Sequence, residues 1–227
     1  MPIVQVQDLT RTYTQGALKV EALRGVSLDI EAGEFTALMG PSGSGKTTLL
    51  NQIGALDLPD SGSIQIEGRE LAGMSKGELA RLRLERLGFV FQAYNLVPVL
   101  SAYENAEFVL LLQGVAPNER RSRVMSLLES VGLKGMEDRR PAELSGGQQQ
   151  RVAVARAMAA NPALVLADEP TANLDSKTSE ELLDTMQALN RDHGITFLFA
   201  THDPRVMERA RRVVTLVDGK IDKDERR

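Results

Sequence analysis

The chain has 227 residues, 42% of them hydrophobic and 26% charged, which suits one α/β domain or one domain carrying a subdomain. A formal net charge of -4 argues against broad electrostatic attraction to nucleic acid, and the lack of cysteine excludes disulfides, thiolate metal sites and cysteine nucleophiles. The longest apolar runs, Phe108 to Leu112, Ala163 to Ala167 and Ile195 to Ala200, fall far short of the roughly 20 residues that a membrane-spanning helix needs.

Met1 to Asp8 alternates polar and apolar residues like a strand. It has neither the basic start nor the apolar centre of a secretion signal, so the chain is expected to remain in the cytoplasm. Val26, Leu28 and Ile30 alternate in the same way, as do Ile64 and Ile66, and with Val4 and Val6 they predict a small antiparallel sheet with one solvated face. By contrast Phe35 to Met39, Leu164 to Ala167, Ile195 to Phe199 and Val213 to Val217 are mainly apolar, as strands covered on both faces are, and predict a parallel core sheet.

The first of these apolar strands runs into Gly40-Pro41-Ser42-Gly43-Ser44-Gly45-Lys46-Thr47, and Thr48 to Ile53 can begin a helix. Strand, glycine-rich loop and helix in that order make a phosphate cradle: glycines let the backbone curl, successive N–H groups point inward, and the helix N-terminus adds positive potential. Lys46 then reaches the β- and γ-phosphates, Thr47 offers a hydroxyl to Mg²⁺, and ATP or GTP is the expected ligand.

Phe89-Val90-Phe91-Gln92 is another short apolar run ending in a polar residue. From about Ala93 to Ala160 helical patterns dominate, including Val124, Leu127, Leu128 and Val131 before Gly132, and predict a helical insertion. Basic clusters at Arg81 to Arg83, Arg120 to Arg123 and Arg209 to Arg212 contain no aromatic residue and read as solvated helix faces. Within the insertion, Leu144-Ser145-Gly146-Gly147-Gln148 precedes a helix-favouring stretch that Asn161-Pro162 stops. Ser145 is then a natural N-cap, and the chain gains a second helix N-terminus suited to an anion.

Leu164 to Ala167 ends in Asp168 and Glu169, at the strand end where open α/β sheets bind ligands. Leu182, Leu183, Met186 and Leu189 predict a helix running toward Gly194, and the next apolar strand ends in Thr201-His202-Asp203-Pro204. After the last apolar strand, Asp218-Gly219-Lys220 opens a charged tail.

Taken together, the phosphate loop, the two-acid strand end and the run Leu144 to Gln148 resemble the ATP-binding cassette (ABC) family, over a span from Tyr13 to His202 and in the family's order. The resemblance implies an α/β fold with a P-loop NTPase (RecA-like) core, a small antiparallel β subdomain and an inserted α-helical subdomain. Residues 1–92 and 161–227 would form the core and 93–160 the helical part. ATP and Mg²⁺ are the implied cofactors.

By the same resemblance, Asp168 holds Mg²⁺ through water, Gln92 reaches the metal and the attacking water, and Glu169 accepts that water's proton. His202 contacts the γ-phosphate and Tyr13 stacks on adenine. Two copies pack head to tail, so that Ser145, Gly146, Gly147 and Gln148 face the nucleotide held by the other copy's residues Gly40 to Thr48. Ala172-Asn173-Leu174-Asp175 matches the loop that crosses that interface, with Asn173 where the commoner form has alanine.

Glu169 to Ser176, Leu144 to Arg151 and Phe91 to Leu96 look like the LolD/MacB branch of the family. That implies a motor on the cytoplasmic face of the membrane, driving a separate permease that docks on the helical part near residues 93–112. Lipoprotein, lipid, peptide or drug export, or mechanotransmission, would be its task. A regulatory cassette that signals across the membrane without transport is the alternative, ahead of a soluble cassette of DNA repair or translation.

Overall fold

The computed structural model describes residues 2–16 and 18–227. In chain order it opens with β1 (Pro2–Gln15), β2 (Leu18–Glu31), β3 (Phe35–Met39), α1 (Lys46–Ile53), β4 (Ser61–Ile66), β5 (Arg69–Glu70), α2 (Lys76–Arg86) and β6 (Leu87–Phe91). Then come α3 (Ala102–Leu112), α4 (Pro117–Ser130), a short 3₁₀ turn, α5 (Gly146–Ala159), β7 (Leu164–Asp168) and α6 (Ser176–His193). The chain closes with β8 (Thr196–Ala200), α7 (Pro204–Arg209), β9 (Arg212–Val217) and β10 (Lys220–Arg226).

Two sheets form, of order β2-β1-β4-β5 and β10-β9-β3-β8-β7-β6. The first is antiparallel throughout, as the alternation of Val4, Val6, Val26, Leu28, Ile30, Ile64 and Ile66 predicts, and all seven side chains are buried. Met1, the first residue of that predicted pattern, lies outside the described residues. In the second sheet β9, β3, β8, β7 and β6 are mutually parallel.

The continuous apolar character of those strands follows from the two cores they separate. Leu38, Leu164, Leu166 and Leu198 pack with α1 and the antiparallel sheet, while Ala37, Val165, Phe197 and Phe199 face the helices on the other side. Successive residues of one strand alternate between the cores because strand side chains alternate faces.

Between β6 and β7 every regular element is helical. Capping boxes begin α2 at Ser75 and Glu78, α3 at Ser101 and Glu104, and α5 at Ser145 and Gln148, and Gly194 at φ 67° ends α6. The charged tail is not a loose end: β10 pairs antiparallel with β9 and forms the sheet's edge. Its exposed charges gave no apolar alternation to read, yet they suit an edge strand, where charge discourages further pairing.

Candidate functional site

Parallel strands in register bring their C-terminal ends to one edge of the sheet. Phe91 pairs with Asp168, and Asp168 and Leu38 both pair with Ala200. The residues that follow these strands, Gln92, Glu169, Thr201, His202 and the loop after Met39, therefore meet above that edge.

The loop between β3 and α1 depends on two glycines for different neighbours. A Cβ on Gly40, at φ 146°, would lie 2.1 Å from the Leu216 carbonyl oxygen, and one on Gly45, at φ 104°, would lie 2.4 Å from that of Ala22. Gly45 is also the N-cap of α1 and supplies no side-chain cap, so the first turn's N–H groups stay free for an anion. Lys46 Nζ donates to the carbonyls of Gly40 and Pro41 at 2.8 and 2.9 Å, closing the loop on itself. Ser44 is buried beneath, and its Oγ has no hydrogen-bond partner.

Thr47 Oγ1 donates to Asp168 Oδ1 at 3.1 Å. Burial pushes the Asp168 carboxyl above the ordinary carboxylate range and the charge of Glu169 adds to this, against the Thr47 hydrogen bond and Lys46. Glu169 sits in the left-handed region at φ 45°, with its N–H donating to the Ala200 carbonyl at 2.8 Å. Both its carboxylate oxygens are engaged, Oε1 with His202 Nδ1 at 2.6 Å and Oε2 by the Thr201 hydroxyl at 3.0 Å. Backbone strain of this kind costs about 1 to 3 kcal/mol and gathers at functional sites.

A cleft of about 690 Å³ collects Tyr13, the loop from Gly40 through Thr48 apart from Ser44, Gln92, Glu169 and His202. Asp168 reaches it through Thr47. The residues Ser145, Gly147 and Gln148 instead line a separate cleft with Arg151, Thr178 and Glu181, and Gly146 lies against the Tyr94 hydroxyl. Ser145 caps α5 as expected: Gln148 N–H donates to its Oγ at 3.3 Å, and Ser145 N–H donates to Gln148 Oε1 at 2.9 Å.

At or behind the cleft, Val20 and Ala22 had no sequence signal, while Thr171, Ala172 and Asn173 were legible only as parts of the family-like run after Glu169. Val20, Ala22 and Ala172 line the cleft. Asn173 Nδ2 donates to the Gln92 carbonyl at 2.9 Å, and Thr171 Oγ1 to the buried Asp203 carboxylate at 2.7 Å, so the loop after Glu169 is tied to both flanking strand ends. Thr201 was legible only as the neighbour of His202. A further groove of about 380 Å³, lined by Leu84, Leu87, Phe91, Val109 and Arg156 among others, runs between α2, β6, α3 and α5.

Residues 23–172 match the family model described as ABC transporter. The chain is 47% identical over 223 residues to the macrolide export ATP-binding/permease protein MacB of Marinobacter nauticus, covering 98% of this chain and 34% of that protein. It spans about a third of the length of the MacB relatives it matches. It is also 47% identical over 224 residues to the lipoprotein-releasing system ATP-binding protein LolD of Anaeromyxobacter dehalogenans, covering 98% of this chain and 94% of that one. Among solved structures, the dimeric ATP-binding cassette MJ0796 in a post-hydrolysis state, bound to ADP and Pi, superposes with a TM-score of 0.91 at 42% identity over 98% of each chain. The phosphate loop, the acidic strand end and the capped second glycine run thus occur together on the fold of these relatives, and the chain belongs to the ABC transporter family.

Proposed function

We propose that the chain is the ATP-hydrolysing motor of a membrane transporter and works as two copies closed head to tail on two ATP-Mg²⁺. One observation carries this reading. The phosphate loop, Gln92, Glu169 and His202 line one cleft, while the Ser145 to Gln148 run caps a helix at another cleft of the same chain. A second copy would bring that run to the first copy's nucleotide.

In this reading the loop from Gly40 to Thr48 wraps the phosphates, and Lys46 exchanges the carbonyls of Gly40 and Pro41 for phosphate oxygens. Thr47, Gln92 and Asp168 supply the neutral and anionic oxygens that a hard cation prefers. The half-buried Asp168 carboxyl, raised by desolvation beside the Thr47 hydroxyl, fits such a cation. Mg²⁺ held there neutralises charge on the phosphates. Glu169 takes the proton of the attacking water, Thr201 and His202 fix its carboxylate, and His202 contacts the γ-phosphate. Tyr13 carries the base, and Ser145, Gly146, Gly147 and Gln148 complete the partner's site.

The helical part, residues 93–160, is the arm that receives a permease. The groove bounded by Phe91 and Val109, with exposed Val99, Phe108 and Leu112 on residues 93–112, supports that docking. The motor then sits on the cytoplasmic face of the membrane and serves a LolD/MacB-like export or mechanotransmission task, with cargo chosen by the permease. No nucleic-acid partner is proposed.

Glu169→Gln keeps the side chain's size and removes the base. Hydrolysis should fall about 100- to 10,000-fold, with ATP affinity within a few fold of wild type and an ATP-Mg²⁺-dependent dimer in size-exclusion chromatography. Loss of ATP binding, or a monomer at saturating ATP, would sink the reading. A mixed dimer of Ser145→Arg with Lys46→Ala should keep one intact composite site and measurable turnover, where either homodimer has none.

A further inference from the structure

Tyr13 is exposed to 38% of its surface and lines the nucleotide cleft, but it is not free to turn. Its hydroxyl donates to Asp57 Oδ2 at 2.7 Å. The Arg11 guanidinium lies over the ring, 4.8 Å from its centroid, and is itself held by Asp57 Oδ1 and Asp60 Oδ1, each at 2.8 Å. Asp60 Oδ2 accepts from the Thr12 N–H at 2.7 Å, and Asp60 N–H donates to the Thr10 carbonyl at 3.0 Å, so the segment after α1 is fastened to β1 on both sides of Arg11. Leu56 N–H in turn donates to the Asn51 carbonyl of α1 at 2.9 Å. The helix that follows the phosphate loop ends at Ile53, and the segment just beyond it, tied back to the helix through Leu56, carries the acids that fix Tyr13.

We propose that Arg11, Asp57 and Asp60 are positioning residues that hold the Tyr13 ring as a preformed platform for the nucleobase, set at a fixed distance from the phosphate cradle by α1. The proposal rests on the reading of Tyr13 as the base-stacking residue. Physically, an aromatic side chain that must be immobilised on binding weakens the complex, and one already held does not. Asp57 does two things at once: it takes the tyrosine's only donor, and it anchors the cation that packs on the ring, a contact favourable in its own right. The carboxylate of Asp60 is held below its ordinary range, first by the Thr12 N–H and then by Arg11, in keeping with a permanently charged anchor.

The test compares two ligands in the Glu169→Gln background, Mg²⁺-ATP and Mg²⁺-tripolyphosphate, by isothermal titration calorimetry. Asp57→Ala should weaken ATP about 2- to 10-fold, the worth of one immobilised side chain, and leave tripolyphosphate within twofold. Tyr13→Phe, which keeps the ring and loses only the hydroxyl bond, should show a smaller loss confined to ATP and serves should Asp57→Ala not fold. If both ligands weaken together, the acids merely support the fold, and if ATP binding is unchanged in both variants the clamp does nothing. Tyr13→Ala separates the two claims, since stacking is worth about 5- to 100-fold for a base. An unchanged ATP affinity in Tyr13→Ala overturns the base-stacking reading itself, whereas a loss there with none in Asp57→Ala and Tyr13→Phe overturns only the positioning.

Discussion

Gly40 cannot gain a side chain without moving the backbone of another strand, because its Cβ would overlap the Leu216 carbonyl at 2.1 Å. Gly40→Ala should therefore cost about 1 to 3 kcal/mol from backbone strain, with the overlap added, and lower the melting temperature by at least several degrees. On the proposed reading ATP affinity should fall with it, since that reading has the same loop wrap the phosphates; calorimetry and thermal melting check both. Glu169 shows the complementary case. An acidic residue at φ 45° is a strained choice, and it is kept by the Ala200 carbonyl on its N–H and by Thr201 and His202 on its carboxylate. These three contacts fix where a base would stand, which neither Asp168-Glu169 nor Thr201-His202 discloses as a sequence pair.

At the scale of elements, α5 approaches the start of α6 so closely that a Cβ on Gly147 would lie 2.3 Å from Thr178 Cγ2. Thr178 Oγ1 donates to Asp175 Oδ2 at 2.6 Å, and Arg151 on α5 pairs with Glu181 on α6 at 2.8 Å. The Ser145 to Gln148 run is thereby packed against the end of the 172–175 loop. Gly147→Ala should cost about 1 to 3 kcal/mol by overpacking. Thr178→Ser removes the offending methyl and keeps the hydroxyl, so the double variant should regain most of the melting temperature. A Gly147→Ala variant as stable as wild type would show that the helices part easily. The sequence announced Ser145 as a cap through its place before a helix-favouring stretch, but Gly-Gly looked suited to a flexible start. Its second glycine is instead a packing requirement that only the partner helix reveals.

Across the whole molecule, Arg212 ties the two sheets together. Its buried guanidinium pairs with Glu34 at 3.0 Å and Asp224 at 2.7 Å and donates to the Asp29 carbonyl of β2 at 2.7 Å, joining β9, β10, the entry to β3 and the antiparallel sheet. The hydrogen bond from Arg212 holds the Asp224 carboxyl below the ordinary range, against the effect of burial. A carboxyl depressed in the folded state stabilises fully above its unfolded value of about 3.9, and that contribution is lost as pH falls through the folded value. Asp224→Asn should therefore melt lower than wild type at pH 7, and the two should converge well below pH 4; a gap that persists there would mean the effect is not ionic. The sequence by itself determined the two sheet types, since alternating and continuous apolar runs record one or two covered faces, and it determined the phosphate loop and the acids at strand ends, since those signals are local. The order β10-β9-β3-β8-β7-β6 was decided only in three dimensions, and with it the pairing of Phe91 with Asp168, the recruitment of a charged tail as an edge strand, and the clamp of Tyr13 by an acid 44 residues away. Periodicity records which face of a segment is covered. It carries no record of which distant segment covers it, because pairing and packing depend on the shape and charge of both partners.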